Sequence, residues 1–280
     1  MNEHFLTNKE IEGFYNYLKK EEKSENTMKK YIRDVMAFSV FCTGEITKET
    51  VIAYKQSLIS GGYAARSVNS VLASLNSLFS FLGWHELRVK SLKVQRQVFC
   101  SEEKELTKAE YERLCRAAEK KKNKRLCLIL QTICGTGIRV SELQYITVEA
   151  VRRGAATVSL KGKRRSVFIV RELQKKLLGY ISEQKITTGA VFVTRTGRPV
   201  GRTNIWREMK ALCAQANVNS QKVFPHNLRH LFARVFYGIE KDIAKLADVL
   251  GHSSIDTTRI YIISTGAEHR RYMENMRLIM

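Results

Sequence analysis

The chain has 280 residues, 44% of them hydrophobic, which is enough for two domain cores and excludes a disordered or low-complexity protein. Its 48 Lys and Arg against 27 Asp and Glu give a formal net charge of +21, so nucleic acid is the first partner to consider. No apolar run reaches membrane-spanning length and the start, MNEHFLTNKE, lacks the apolar core of a secretory signal, which predicts a cytoplasmic protein.

The positive charge is unevenly placed along the chain. Residues 1–90 hold 12 Lys and Arg against 10 Asp and Glu, whereas residues 91–280 hold 36 against 17. An anionic membrane surface would also attract such a chain, but that binding usually needs a basic amphipathic helix or a lipid anchor, and the sequence shows neither pattern. The second part of the chain therefore carries most of the attraction for a polyanion.

Residues 5–83 predict four amphipathic helices separated by turn signals. The first helix is predicted to begin at Thr7 or Asn8 and end at Lys19, and the second to begin near Ser24. The third is predicted from Thr47 to the Gly61-Gly62 pair, and the fourth over residues 67–84. On the second helix, an apolar face that includes Ile32 and Phe38 leaves basic side chains on the opposite side. The predicted DNA contacts are three of these basic side chains, Lys29, Lys30 and Arg33, together with Arg66, which lies just before the fourth helix.

A charged segment without helical periodicity separates two predicted domains. It covers residues 89–106 and is predicted to link a helical domain at 1–88 to a second domain at 107–280. Thr107 and Glu110 form a capping-box pattern that begins the second domain, and its helical pattern continues to a helix ending near Tyr145.

Residues 157–170, TVSLKGKRRSVFIV, change to β-branched residues around a basic turn and predict a hairpin. Helical patterns return from residue 171 to the end, with an interruption near 190–202. The fold class is therefore predicted to be mainly α with a small β-sheet. The six cysteines show no C-x-x-C pair and are predicted to be free thiols in a reducing cytosol.

Four separated segments carry side chains suited to chemistry: GTGIRVSEL (135–143), SLKGKRRS (159–166), PHNLRH (225–230) and LGHSSIDTTRIYI (250–262). Singly, each has an ordinary structural explanation, such as an ion pair between Arg139 and Glu142 or a solvated hairpin tip around Lys161. His226 and His230 are four residues apart, which suggests a metal site. However, no H-E-x-x-H glutamate is present and Arg229 would place a cation beside the ion, so no metal is predicted.

Together these segments supply two arginines, a lysine, two histidines and a tyrosine, a set suited to phosphodiester chemistry without a metal. Arginine forks bind non-bridging phosphate oxygens bidentately and can stabilise transition-state charge. A phenol with an ordinary pKa of about 10 needs a base or a positive field to act as a nucleophile. The departing sugar oxygen needs a proton, which a lysine ammonium can supply.

In this order, TGIRVSEL, KGK, HNLRH, LGH and a tyrosine nine residues after that last histidine resemble the motifs of the tyrosine recombinase, or phage integrase, family. The segment SENTMKKYIRDVMAFSVF is similar to part of the family's SAM-like core-binding domain. The resemblance spans nearly the whole chain and implies a SAM-like helical domain followed by an α+β catalytic domain. One departure is the return strand RSVFIV, which lacks the proline common after the basic turn.

The resemblance implies a role for each matching residue. Tyr261 would attack a scissile phosphate and leave a 3′-phosphotyrosyl bond with a free 5′-hydroxyl. The other implied roles are Arg139 and Arg229 as phosphate clamps, Lys161 as the proton donor to the leaving oxygen, His226 as acid/base partner of the tyrosine, His252 as a hydrogen-bond donor to the phosphate and Glu142 as a residue that orients its neighbours. No metal, ATP or other cofactor is implied.

The implied function is site-specific recombination of double-stranded DNA by a minimal, Xer-like enzyme, either integrating and excising a mobile element or resolving DNA. The implied assembly is a homotetramer on synapsed DNA that is monomeric when free and exchanges a C-terminal segment, residues 264–280. Two alternatives remain: a catalytically inactive DNA-binding regulator, and a type IB topoisomerase-like nicking-closing enzyme. The filled set of catalytic positions disfavours the first, and the short apolar C-terminal stretch disfavours the second.

Overall fold

The computed structural model describes residues 3–94, 105–160, 163–261, 270 and 273–276. The chain divides into two compact units, Met1–Arg96 and Gln97–Met280, each with its own hydrophobic core. Within the described residues, no helix is both long enough and apolar enough to cross a membrane. The predicted fold class, mainly helical with a small sheet, is confirmed.

The first unit contains four helices: α1 (Asn8–Lys20), α2 (Glu25–Phe41), α3 (Lys48–Ser60) and α4 (Ala65–Phe81). Three of them begin at a capping side chain, because Thr7, Ser24 and Thr47 each accept a hydrogen bond from a backbone N–H of the first turn. Their apolar faces meet in a core that includes Phe14 and Phe38, both without solvent exposure. The four-helix prediction for this part of the chain is confirmed.

Two asparagines of α4 hold the extended segment that follows it. The Asn76 side chain bonds the backbone N–H and the carbonyl of Val89, at 3.0 and 2.9 Å. The Asn69 side chain does the same with Leu92, at 2.7 and 2.9 Å. Because each amide satisfies both backbone groups of one residue, residues 89–92 pack against α4 without a neighbouring strand.

The helices of the second unit are α5 (Lys108–Lys120), α6 (Lys124–Thr136), α7 (Val148–Arg153), α8 (Arg171–Glu183), α9 (Arg202–Lys210), α10 (Cys213–Ala216), α11 (Pro225–Glu240), α12 (Ile243–Leu250) and α13 (Ile255–Arg259). The capping box of α5 is confirmed. The Thr107 hydroxyl accepts from the Glu110 N–H, and the Glu110 carboxylate accepts from the Thr107 N–H at 2.8 Å. Proline at the first position of α11 suits a helix start, since its missing N–H would have no partner there.

The helix predicted to end near Tyr145 is present as a separate 3-10 helix, Val140–Tyr145. The break before it was not predicted: α6 ends at Thr136, because Gly137 adopts the left-handed conformation with φ 64°. A Cβ at Gly137 would also lie 2.5 Å from the Phe232 ring, so only glycine fits. The chain then turns sharply and continues as a 3-10 helix that begins after Arg139.

Strands β1 (Ala155–Leu160) and β2 (Lys163–Phe168) form an antiparallel hairpin that pairs Ala155 with Phe168 at its base. Cross-strand partners share one face of a sheet. Arg165 pairs with the buried Val158 and therefore lies on the core side, whereas Arg164 lies on the exposed side. The predicted hairpin is confirmed, and its return strand ends at Phe168.

The cysteines among the described residues are free thiols. Cys127 and Cys213 are buried, and three are partly buried: Cys42, Cys115 and Cys134. Cys100 lies outside the described residues. Reduced cysteine behaves as a small apolar side chain and is commonly buried in this way.

Candidate active site

Five of the six predicted catalytic side chains meet where the ends of several helices converge. They are Arg139 after α6, His226 and Arg229 in the first turns of α11, His252 after α12 and Tyr261 after α13. The sixth, Lys161, lies outside the described residues, between the end of β1 and the start of β2 in the sequence. The site is thus assembled from helix ends and turns that a helical core supports.

Arg229 lies at the centre of this arrangement with only 1% of its surface exposed. Its guanidinium donates to the carbonyl of Gly137 at the end of α6 and to the carbonyl of Leu250 at the end of α12, the latter at 2.7 Å. Helix C-terminal carbonyls are partly negative and stabilise a cation. Burial, with Arg139 nearby, lowers the pKa of Arg229 to about 10, so the group stays charged at neutral pH.

Glu142 is also almost fully buried, and its carboxylate is surrounded by donors. Oε1 accepts from the Arg139 guanidinium at 2.9 Å, and Oε2 accepts from the Arg139 N–H at 2.9 Å and from Arg165 Nη2 at 2.6 Å. Burial raises the pKa of Glu142, but the Arg139 N–H and the two guanidinium groups outweigh it and leave the pKa below its usual value. The ion pair between Arg139 and Glu142 therefore exists and orients Arg139, whose side chain remains one-third exposed.

His252 is fixed by hydrogen bonds on both ring nitrogens. Nε2 lies 2.9 Å from Arg229 Nη2, and Nδ1 lies 2.8 Å from the hydroxyl of Thr258, a fully buried residue. Because the guanidinium can only donate, Nε2 accepts and Nδ1 carries the proton. Burial and then the neighbouring Arg229 lower the pKa of His252 to about 4, so the ring is neutral at physiological pH.

Tyr261 lies among three imidazole rings and is only 4% exposed. Its ring centroid is 4.3 Å from that of His230, 5.4 Å from His252 and 5.6 Å from His226. The phenol oxygen lies 3.5 Å from Nε2 of His226. Burial, followed by Arg229, lowers the pKa of His226, which favours the neutral ring that can accept a proton.

Two residues that contact this cluster were missed as site residues by the sequence analysis. Arg165 was read only as part of a basic hairpin, although its position opposite Val158 places it on the buried face. Thr258 lies in the segment LGHSSIDTTRIYI but was given no role there, yet its hydroxyl bonds His252. The strand alternation was the available signal for Arg165, whereas the contact of Thr258 depends on the fold.

The predicted DNA contacts of the first unit differ in how free they are. Lys29 is well exposed and pairs with Glu25 at 2.6 Å within its own helix, and Arg66 is exposed. Lys30 is held internally, since its ammonium bonds the buried Asp34 at 2.7 Å, Ser74 Oγ at 2.9 Å and the Ser70 carbonyl. Arg33 also approaches Asp34, at 3.4 Å.

Two family models match the chain. The model described as Phage integrase family matches residues 104–268, and the model described as Phage integrase, N-terminal SAM-like domain, matches residues 11–86. The chain is 28% identical to tyrosine recombinase XerA of Pyrococcus furiosus, over 100% of this chain and 98% of the relative. It is 30% identical to tyrosine recombinase XerA of Thermococcus kodakarensis, over 97% of this chain and 96% of the relative.

Solved structures with the same fold cover most of the chain. A crystal structure of XerA recombinase covers 98% of this chain and 100% of its own, with a TM-score of 0.53 and 25% identity. A lambda integrase(75–356) dimer bound to a COC′ core site covers 94% of this chain and 97% of its own, with a TM-score of 0.76 and 16% identity. A lambda integrase tetramer bound to a Holliday junction covers 90% and 76%, with a TM-score of 0.74 and 17% identity.

Proposed function

This chain belongs to the phage integrase family and is a tyrosine-type site-specific DNA recombinase, and we propose that Tyr261 is the nucleophile with which it cuts DNA. The observation that carries this proposal is the convergence of Tyr261 with His226, Arg229 and His252 at the ends of separate helices. Its hydroxyl lies beside a neutral imidazole and under the field of a buried guanidinium. Both conditions favour loss of the phenol proton to His226 as the oxygen attacks.

The cleavage step balances as a direct exchange of one phosphoester for another. The Tyr261 oxygen bonds to phosphorus, the bond to the 5′ oxygen breaks, the phenol proton passes to His226, and Lys161 donates a proton to the leaving oxygen. Arg139 and Arg229 stabilise the negative charge on the non-bridging oxygens. For neutral His252 to donate a hydrogen bond to one of them, its proton must move from Nδ1 to Nε2, which then leaves Arg229, and the Thr258 hydroxyl must donate to Nδ1 in its place. Because the phosphotyrosyl bond retains the energy of the phosphodiester, rejoining needs no ATP and no metal.

The alternative functions predict different products from the same DNA. A DNA-binding regulator forms no covalent complex, and a nicking-closing enzyme relaxes a supercoiled plasmid without exchanging strands between two sites. Within recombination, we place the activity at the nucleoid in the cytoplasm, in integration and excision of a mobile element or in Xer-like resolution. Inverted repeats or element ends beside the gene favour the first of these two roles.

The partner of the protein is double-stranded DNA, and the active assembly is a tetramer on two synapsed sites. The lambda integrase structures, a dimer on a core site and a tetramer on a Holliday junction, support this proposal. We assign the contact between protomers to the segment 264–280, in which Met273 and Met276 are exposed. Its apolar side chains would enter the neighbouring protomer and close a ring of heterologous contacts.

The acceptor for that segment is an apolar groove of about 360 Å³ between α5, α6 and α11. Its lining includes Tyr111, Leu231, Phe232, Val235 and Ile239, and Ile239 is 77% exposed. Exposed aliphatic side chains beside a groove mark a surface suited to an apolar partner. A segment with methionines at helical spacing matches this surface, since methionine fills irregular gaps.

The test of the nucleophile is a suicide substrate with a nick near the crossover site, incubated with excess EDTA. The wild-type protein should give a covalent protein–DNA band on a denaturing gel, because arginines and Lys161 take the roles of a metal. Tyr261→Phe should bind the same DNA and give no band, since only the nucleophilic oxygen is removed. A normal band from Tyr261→Phe would sink the assignment, and a strict need for Mg²⁺ or Zn²⁺ in the wild type would refute the proposed chemistry.

A further inference from the structure

Arg165 on β2 is a buried cation that the proposed chemistry leaves without a role. One arm of its guanidinium donates to Glu142 Oε2 at 2.6 Å, and the other donates to the carbonyl of Val249 at 2.7 Å. Its side chain is 13% exposed. Its two partners belong to separate parts of the site, since Glu142 holds Arg139 and Val249 lies in the last turn of α12, three residues before His252.

The shape of this group makes the two contacts depend on each other. A guanidinium is planar and rigid, so its two arms fix the distance between the groups they bond. Charge-assisted hydrogen bonds of this kind are short and about twice as strong as neutral ones. Gly251 leaves room for the Arg165 side chain, because a Cβ at this position would lie 2.7 Å from Nε of Arg165. Arg165 therefore fixes the positions of the hairpin, the turn after α6 and the end of α12 relative to one another.

We infer that Arg165 is a positioning residue of the cleavage reaction, which sets the phosphate clamp by holding Glu142 with one arm and the end of α12 with the other. The first arm keeps Glu142 against Arg139, and the second fixes the turn from which His252 reaches Arg229. The inference rests on the proposed function. It assigns Arg165 no contact with the DNA, so its loss should slow the chemical step at saturating protein while leaving affinity nearly unchanged.

The pH dependence of cleavage distinguishes a positioning role of Arg165 from a merely structural one, because charged groups surround Glu142. Arg139 from its own turn and Arg165 from β2 face the carboxylate, and Arg229 of α11 and His252 after α12 lie beyond them. Burial raises the pKa of Glu142, and Arg165 is one of the groups that oppose this. Without Arg165, Glu142 should take up a proton at a higher pH and release Arg139, so cleavage should weaken as the pH is lowered.

The experiment compares three variants of the full chain on the suicide substrate at saturating protein. Arg165→Met keeps the unbranched apolar stem of the side chain and removes the charge and the hydrogen-bond donors. Arg165→Lys keeps the charge and removes the fork. Arg164→Met is the matched control, because it removes the same charge from the neighbouring residue on the exposed face of β2. The cleavage rate is measured between pH 6 and 9, with affinity from gel shifts and stability from thermal unfolding.

Arg165→Met should cleave about 30-fold more slowly or worse, as expected for the loss of charge-assisted hydrogen bonds, with affinity within about threefold of wild type. Its rate should fall further toward pH 6 than that of the wild type. Arg165→Lys should restore the wild-type pH profile but only part of the rate. Arg164→Met should change affinity alone. If Arg165→Met does not fold, the same comparison is made with Arg165→Lys, which then must show reduced cleavage at normal affinity.

A wild-type rate for the Arg165 variants overturns the inference and leaves the proposed function intact. A loss of rate that matches the loss of stability, with the pH profile unchanged and no recovery in Arg165→Lys, also overturns it, because Arg165 is then structural only. Absence of a covalent complex from the wild-type protein is a different result, since it removes the proposed function itself.

Discussion

Replacing Gly251 with alanine should cost more stability than its backbone conformation alone explains. Gly251 ends α12 with φ 65°, and a Cβ there would overlap Arg165 Cδ and lie 2.7 Å from Nε. An L-residue in the left-handed region costs about 1–2 kcal/mol. Displacing Arg165 also breaks a charge-assisted hydrogen bond, worth about 1.5–3 kcal/mol. The expected loss in the free energy of unfolding of the second unit is therefore about 2.5–5 kcal/mol.

The matched control is Gly197→Ala. Gly197 lies in the same unit with φ 77°, and nothing lies within 4 Å of its hypothetical Cβ, so it should lose only the backbone cost of about 1–2 kcal/mol. Urea unfolding followed by circular dichroism gives both losses. The double variant Gly251→Ala with Arg165→Ala should be less destabilised than the sum of its single changes, because removing Arg165 removes the overlap. Equal losses for the two glycine variants, with full additivity in the double variant, would refute this reasoning.

Three further predictions concern DNA, assembly and pH. Alanine at Lys29, Arg33 or Arg66 should reduce the slope of log affinity against log salt concentration by about one unit for each phosphate that is no longer neutralised. Lys30→Ala should instead mainly destabilise the first unit, because Asp34 loses its partner. Unchanged slopes in the first three variants would move the DNA interface elsewhere. Truncation after Gly266 should spare binding to a one-arm site and abolish cooperative binding to a two-arm site and strand exchange, as measured by gel-shift titration; cooperative binding by the truncated protein would mean that residues 264–280 serve only their own domain. Burial and then His226 lower the pKa of His230 to about 4 in the folded protein. Below about pH 6.5 the unfolded chain therefore binds a proton at this histidine that the folded protein does not, so stability should fall as the pH is lowered from about 6.5 toward 4. His230→Gln should reduce that slope by up to about 1.4 kcal/mol per pH unit in denaturation series at pH 7 and 5, and an unchanged slope would contradict the assigned burial.

The sequence predicted those features that depend on near neighbours. The helices of the first unit follow from apolar periodicity and from caps such as Thr47, and the hairpin follows from β-branched residues around a basic turn. The motif spacing predicted which side chains form the site, and five of them do converge. Their physical proximity could not be derived from composition or spacing, because it depends on how α6, α11 and α12 end beside one another.

The features that the sequence did not predict depend on distant contacts or on one backbone angle. The break between α6 and the 3-10 helix that ends at Tyr145 was not predicted, because only the left-handed conformation of Gly137 ends α6 there. Two of the three internal partners of Lys30, Ser70 and Ser74, lie about 40 residues away on α4, and without them the lysine was predicted to be a DNA contact. The contacts of Arg165 to Glu142 and Val249 span 23 and 84 residues and carry no local signature.

The burial of Arg229 has a consequence for how this gene would decay. Its guanidinium satisfies the carbonyls that end α6 and α12, so a copy that loses Arg229 loses stability as well as catalysis. Tyr261 makes no comparable demand, since phenylalanine fills the same space between the imidazole rings. Descendants that keep DNA binding after cutting has ceased should therefore accumulate changes at Tyr261 first and retain arginine at 229, and that order of loss would mark a silenced recombinase among its descendants.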